Sequence, residues 1–189
     1  MAVNITGYHN ENSIIAKIQS ALVEMLSDLG ITGWQVLRAN QPTIQALQNQ
    51  SVYYDIISKR RIGTQGVKPV LVNNGWKDVS VWYEEFLIQV SGFKLRDPEN
   101  DIVSTLTSAD IIGMIQGCVN SNGALGSKNY FVSDWIQLIK SSSLREIDFE
   151  TDSGKKEKMV QFDFLLVVEQ TLAKDIESAD KIEMDMERI

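Results

Sequence analysis

The chain has 189 residues, a formal net charge of −7, one cysteine and one histidine. A lone Cys118 cannot close an internal disulfide, and one Cys with one His argues against a zinc centre; the negative charge argues against a duplex-DNA footprint over the whole surface. No apolar run approaches the roughly 20 residues of a membrane helix. The opening MAVNITGYHNENS has neither the basic nor the apolar region of a signal peptide. The expectation is one globular domain, without a membrane partner, in a reducing compartment or with no redox requirement.

Residues 1–12 are polar and expected to be loosely held. A helix is expected over Ser13–Leu29, capped by Asn12 or Ser13. Ile15, Ile18, Leu22, Met25, Leu26 and Leu29 make its apolar stripe, and Gly30 ends it. Trp34–Arg38 is a short strand broken by the Asn40-Gln41-Pro42 run. Val52–Ile62 is rich in β-branched and aromatic residues and reads as a strand. Gly63 and Gly66 then predict a turn, with Val67–Val72 as a return strand held to a sheet edge by Pro69. Asn74-Gly75 is a second turn signal. Val79–Phe93 is a long strand, with Trp82, Phe86, Ile88 and Val90 on one face.

A second helix is expected over Ser108–Val119, capped by Thr107 or Ser108. It is apolar over a broad arc that contains Cys118, whose thiol is expected buried and inert. Its Gly113–Gly117 spacing suggests close packing of helix on sheet. Tyr130–Ile139 is open between an irregular strand and a short helix. Leu144–Glu150 reads as a strand, and Asp152-Ser153-Gly154 as the turn into the next one. Val160–Val168 (VQFDFLLVV) alternates strictly and then turns apolar on both faces, which marks the central strand.

The fold class is therefore α+β: a mainly antiparallel β-sheet packed against two α-helices, with a long hairpin and a C-terminal arm. Residues 1–173 form the domain, and residues 174–189 the acidic arm. Ile182, Met184 and Met186 alternate with charged residues there, which suits an extended segment, although Ile176, Ala179, Ile182 and Met186 would also suit a helix.

The charge is unevenly distributed. Lys59 to Lys77 holds five cations and no carboxylate, whereas Ser141 to Ile189 holds 13 acidic and seven basic residues. A solvated hairpin and a solvated tail are the plainer reading. The functional reading makes Lys59, Arg60, Arg61 and Lys68, together with Ile182, Met184 and Met186, partner-binding residues. No catalytic, cofactor or metal site is expected. The chain has no Walker loop, no GxGxxG after a strand and no HExxH, and nothing near His9 would orient it for nucleophilic catalysis. Glu84 and Glu85 are adjacent on a strand and point to opposite faces, so they cannot act as an acid–base pair.

The order of elements resembles the neck or tail terminator proteins of tailed phages. The likeness rests on the N-terminal helix, the short strand before Asn40-Gln41-Pro42, and the strand from Val52-Tyr53-Tyr54. It extends through the long strand ending near Phe93 with its capped helix, and Leu144-Arg145 leading to the hairpin arm Lys158–Phe164. It covers about residues 13–172; Lys174–Ile189 does not match. The resemblance implies a structural virion protein with no enzymatic role and no cofactor. It implies a ring, expected as a hexamer, that caps the tail tube and joins the tail to the head. The partners implied are further copies of the chain, the tail tube and the head–tail connector, with genomic DNA passing through the lumen without specific binding. Location in the virion and assembly in the host cytoplasm follow. Another virion ring subunit, of the tail tube or the connector, is the alternative, and a small-molecule-binding α+β module is the reading from a different class.

Overall fold

The computed structural model describes residues 8–39, 49–72, 75–94, 106–124, 127–131, 135–150 and 156–175. Among these residues two helices and six strands follow one another: α1 (Glu11–Asp28), β1 (Gln35–Arg38), β2 (Ser51–Val72), β3 (Gly75–Phe93), α2 (Ser108–Asn120), β4 (Ile136–Ser141), β5 (Arg145–Glu150) and β6 (Lys156–Asp175). The fold is α+β, as the alternation patterns imply. The sheet runs β1-β2-β3-β6-β4, with β5 also paired to β6. β6 is thus the hub, meeting β3, β4 and β5. β1 lies parallel to β2, and every other pair is antiparallel.

α1 starts two residues earlier than its apolar stripe suggests. Asn10, not Asn12 or Ser13, is the cap, and its side chain accepts from the Ser13 N–H at 2.9 Å. At the other end Gly30 takes φ +68°, and the N–H groups of Gly30 and Ile31 reach the carbonyls of Ser27 and Leu26. This paired closure is what a glycine just past a helix allows. α2 carries a full capping box between Thr107 and Asp110.

Both helices lie on one face of the sheet. Ile14, Ile18, Leu22 and Met25 of α1 and Ile111, Ile112, Ile115 and Val119 of α2 are fully buried against the even-numbered residues of the central strands. These include Phe86, Ile88 and Val90 of β3 and Phe162, Phe164, Leu166 and Val168 of β6. The strand period of two places all of them on the same side. Leu165 and Val167 lie on the opposite, helix-free face and are half-buried, so the second half of β6 is partly covered on both sides.

Four expectations need correction. First, no turn forms at Gly63 and Gly66. β2 continues to Val72, and the glycines fall in an irregularity between Ile62 and Gly66, with Gly63 at φ +71°. The pairing of Val67–Val72 with β3 favours continuation of the strand over a local turn. The chain reverses between the paired residues Val72 and Gly75; residues 73–74 and the turn expected at 152–154 lie outside the described residues. Second, the Gly113–Gly117 spacing is not where helix and sheet touch most closely. A Cβ at Gly117 would meet nothing within 4 Å, whereas one at Gly92 on β3 would lie 2.5 Å from the Ile112 side chain. The glycine that permits close packing is on the strand. Third, Cys118 is half-buried, with its sulfur 4.0 Å from the Tyr130 hydroxyl. Fourth, residues 8–10 are held in place, as the polar cluster below shows. The ambiguous stretch 130–139 resolves into a turn at Tyr130–Phe131 and β4 from Ile136.

Candidate functional site: a projecting β-sheet

Two helices of 18 and 13 residues cannot cover strands of 22, 19 and 20 residues. At about 3.3 Å per residue β2 alone spans roughly 70 Å. Over residues 51–69 its buried residues are Ser51–Tyr54, and from Lys59 to Pro69 every residue is exposed except Ile62, which is half-buried. The distal parts of β2, β3 and β6 therefore form a three-stranded projection beyond the helical layer. Pairing reaches the tip, where Val72 pairs with Gly75 and Asp175 with Lys77; the β3–β6 register is unbroken, while that of β2 with β3 shifts between Ile56 and Ser58 and between Ile62 and Gly66.

The basic run of β2 meets carboxylates of β3. Lys59 pairs with Glu84 at 3.0 Å, and Arg60 with Glu85 at 2.5 Å. The Lys59 ammonium also lies 5.2 Å from the Phe86 ring centre. Arg61 stands over the Trp82 ring at the same distance and donates to the Gln65 side chain. Lys68 is exposed. Folding thus places Lys59 and Arg60 beside carboxylates, and the projection is less basic in space than in sequence. Ile182, Met184 and Met186 lie outside the described residues, and β6 includes Lys174 and Asp175, the first two residues of the 174–189 segment.

A polar cluster fixes the base of the projection. Gln170 has no exposed surface. Its carbonyl accepts from the His9 N–H at 2.7 Å, and its amide donates to the His9 carbonyl and to Glu84, both at 2.9 Å. The His9 ring stacks on Trp135 with centroids 3.6 Å apart, and Tyr8 packs near Trp82. Burial acts to raise the Glu84 carboxyl, but hydrogen bonds from Lys59 and Gln170 and the Lys59 charge outweigh it and hold the group below its ordinary value. Burial also pushes the His9 imidazole below its ordinary value. Sequence reasoning missed this cluster. The alternation of Val160–Val168 extends to residue 170, so a glutamine at a core-facing position was the available signal.

On the helix-free face, Leu87 lies opposite Leu165, and Glu85 opposite Val167. Arg145 pairs with Asp163 at 2.5 Å, and the Tyr83 hydroxyl meets Glu169 at 3.2 Å. Among the described residues no group of three His, Cys, Asp or Glu is placed to hold a metal, and no helix is long and apolar enough to cross a membrane. The shallow grooves along α1, lined by residues such as Ala16, Ser20 and Val23, lie away from the projection.

Residues 13–178 match the model of the family described as E217 gateway protein gp29. The chain belongs to that family. It is accordingly a phage structural protein of the virion, and the phage resemblance holds at that level. No curated protein matches the chain. Among solved structures, a chain from the virion of a native gene transfer agent particle aligns over 86% of this chain and 98% of its own, at 14% identity and a TM-score of 0.27. A likeness of that size says nothing further about this chain.

Proposed function

We propose that the protein forms a ring in the neck of a tailed phage, at the head-proximal end of the tail, where it closes the tail tube and joins it to the head. The projection carries this reading. A sheet that extends far beyond its own helical layer presents backbone and side chains that the subunit's core does not need, and contacts with neighbouring subunits are a use for them. The word "gateway" in the family description fits a subunit set around a passage. Head-to-tail association of one chain gives a ring where the rotation between copies closes, and six copies is the stoichiometry we favour. Tail tube and head–tail connector are then its partners above and below. The net charge of −7 suits a lumen through which DNA slides without being held. Assembly takes place in the host cytoplasm.

The test is genetic. A nonsense mutation in the gene should yield DNA-filled heads and separate tails, with tube lengths no longer uniform. Normal virions from the mutant would refute the proposal, and joined particles with defects confined to the tail tip would place the protein elsewhere.

A further inference from the structure

The β2 edge has a part that is open and a part that is blunted. β1 covers it only as far as Tyr54, whose carbonyl accepts from the Ala39 N–H at 2.8 Å. Beyond that point, no strand among the described residues pairs with this edge. The irregularity between Ile62 and Gly66, and then Pro69, interrupt regular pairing farther out. A second register shift, between Ile56 and Ser58, makes Ile57 a bulge residue, so Ser58 to Ile62 is the regular stretch left able to accept a strand.

The two faces of that stretch differ. Tyr54 and Ile56 face the helices; Ile57 is the extra residue of a bulge, stands with Ser58 opposite Leu87 of the helix-free side, and is 45% exposed. Its neighbour Ser58 pairs with Leu87, and Leu87 with Leu165. Leu87 and Leu165 thus share one face with Ser58 and the Arg60–Glu85 pair, beside the exposed Ile57. Lys59 and Arg61 occupy the other, with the Lys59 side chain 40% exposed.

Residues 181–187 read KIEMDME. As a strand, this segment would carry Ile182, Met184 and Met186 on one side and Glu183, Asp185 and Glu187 on the other. We propose that it adds as a strand to the Ser58–Ile62 edge of a second copy. The apolar side would extend the Leu87–Leu165 face beside Ile57, and the acidic side would lie along Lys59 and Arg61. Backbone pairing supplies affinity, and the matched faces supply register. The proposal deepens the ring reading and rests on it.

Chain geometry favours the second copy over the same chain. β6 ends at Asp175, opposite Lys77, while Ile62 lies opposite Tyr83. The separation is about 20 Å along the strands and about 14 Å across three strand spacings, or roughly 25 Å in all. The six peptide units from Asp175 to Lys181 reach at most about 21 Å.

The test uses full-length chains carrying Cys118→Ser. Copies with Arg60→Cys are mixed with copies carrying Ile182→Cys, Met184→Cys or Met186→Cys, and assembly is followed by native mass spectrometry. A mixed disulfide with at least one of these three, formed at least tenfold more readily than with Glu183→Cys, is the expected result. Assembled rings without such a disulfide would overturn the inference and leave the ring reading standing. A disulfide formed within single chains of an Arg60→Cys, Met184→Cys double variant would overturn it in favour of a folded-back segment. Chains that never assemble, alone or with virion extracts, would overturn the ring reading and the inference together.

Discussion

Gln170→Met should release the N-terminal segment from the base of the projection and weaken the domain. Methionine keeps the length and approximate volume of glutamine, so the substitution leaves little cavity and removes the amide. Three hydrogen bonds are lost: two to the His9 backbone and one to the Glu84 carboxylate. A bond to a charged group contributes about 1.5–3 kcal/mol, and a neutral one about 0.5–1.5 kcal/mol. The His9 groups can regain partners in water if residues 8–10 detach, so their share should appear as local release. Glu84 is tied to β3 and cannot leave. Its side chain is 13% exposed and keeps Lys59 as a partner, so the global loss should be about 1.5–3 kcal/mol. Guanidinium unfolding would report the global part. The His9 proton resonances, shifted by the stacked Trp135 ring, would report the local part. A variant within about 0.5 kcal/mol of the parent, with unchanged His9 resonances, would refute this account of the cluster.

Phe164→Ala should cost about 3–5 kcal/mol, because Phe164 is 1% exposed between Phe131 and Phe162; a loss below about 1 kcal/mol in chemical denaturation would place it wrongly. Gly92→Ala should destabilise by about 1–3 kcal/mol through overpacking, since its Cβ would meet Ile112, whereas Gly117→Ala should be neutral or stabilising; equal effects would contradict the assignment of the close contact to the strand. The sole histidine gives a clean pH test. The folded His9 value lies below the ordinary 6.5, so the unfolded state binds the proton first as pH falls. Docking of residues 8–10 should be complete above pH 6.5 and be lost as pH falls through the folded value, with Glu84 adding a second loss below about pH 4.5 for the same reason. An NMR titration of His9 with a midpoint at or above 6.5 would contradict this.

The elements of the fold were legible because period and capping act locally. The Val160–Val168 alternation identified the hub strand, and Thr107 with Asp110 marked the start of α2. The continuation of β2 through Gly63 and Gly66 was not legible, because glycine permits a turn and a strand irregularity alike. Pairing with a distant partner strand selected the second. The charge of the projection escaped for a related reason. Lys59 and Arg60 form a basic run in sequence, but Glu84 and Glu85 lie 25 residues away and meet them only through the β2–β3 register. Gln170 and His9, 161 residues apart, are joined by the same kind of long-range registration.

A cryo-electron microscopy reconstruction of the virion neck tests the central claim most directly. The account predicts one closed ring of this chain at the junction of head and tail, with each three-stranded projection in contact with its neighbour. Copies stacked along the tail, or found only at its distal end, would contradict it.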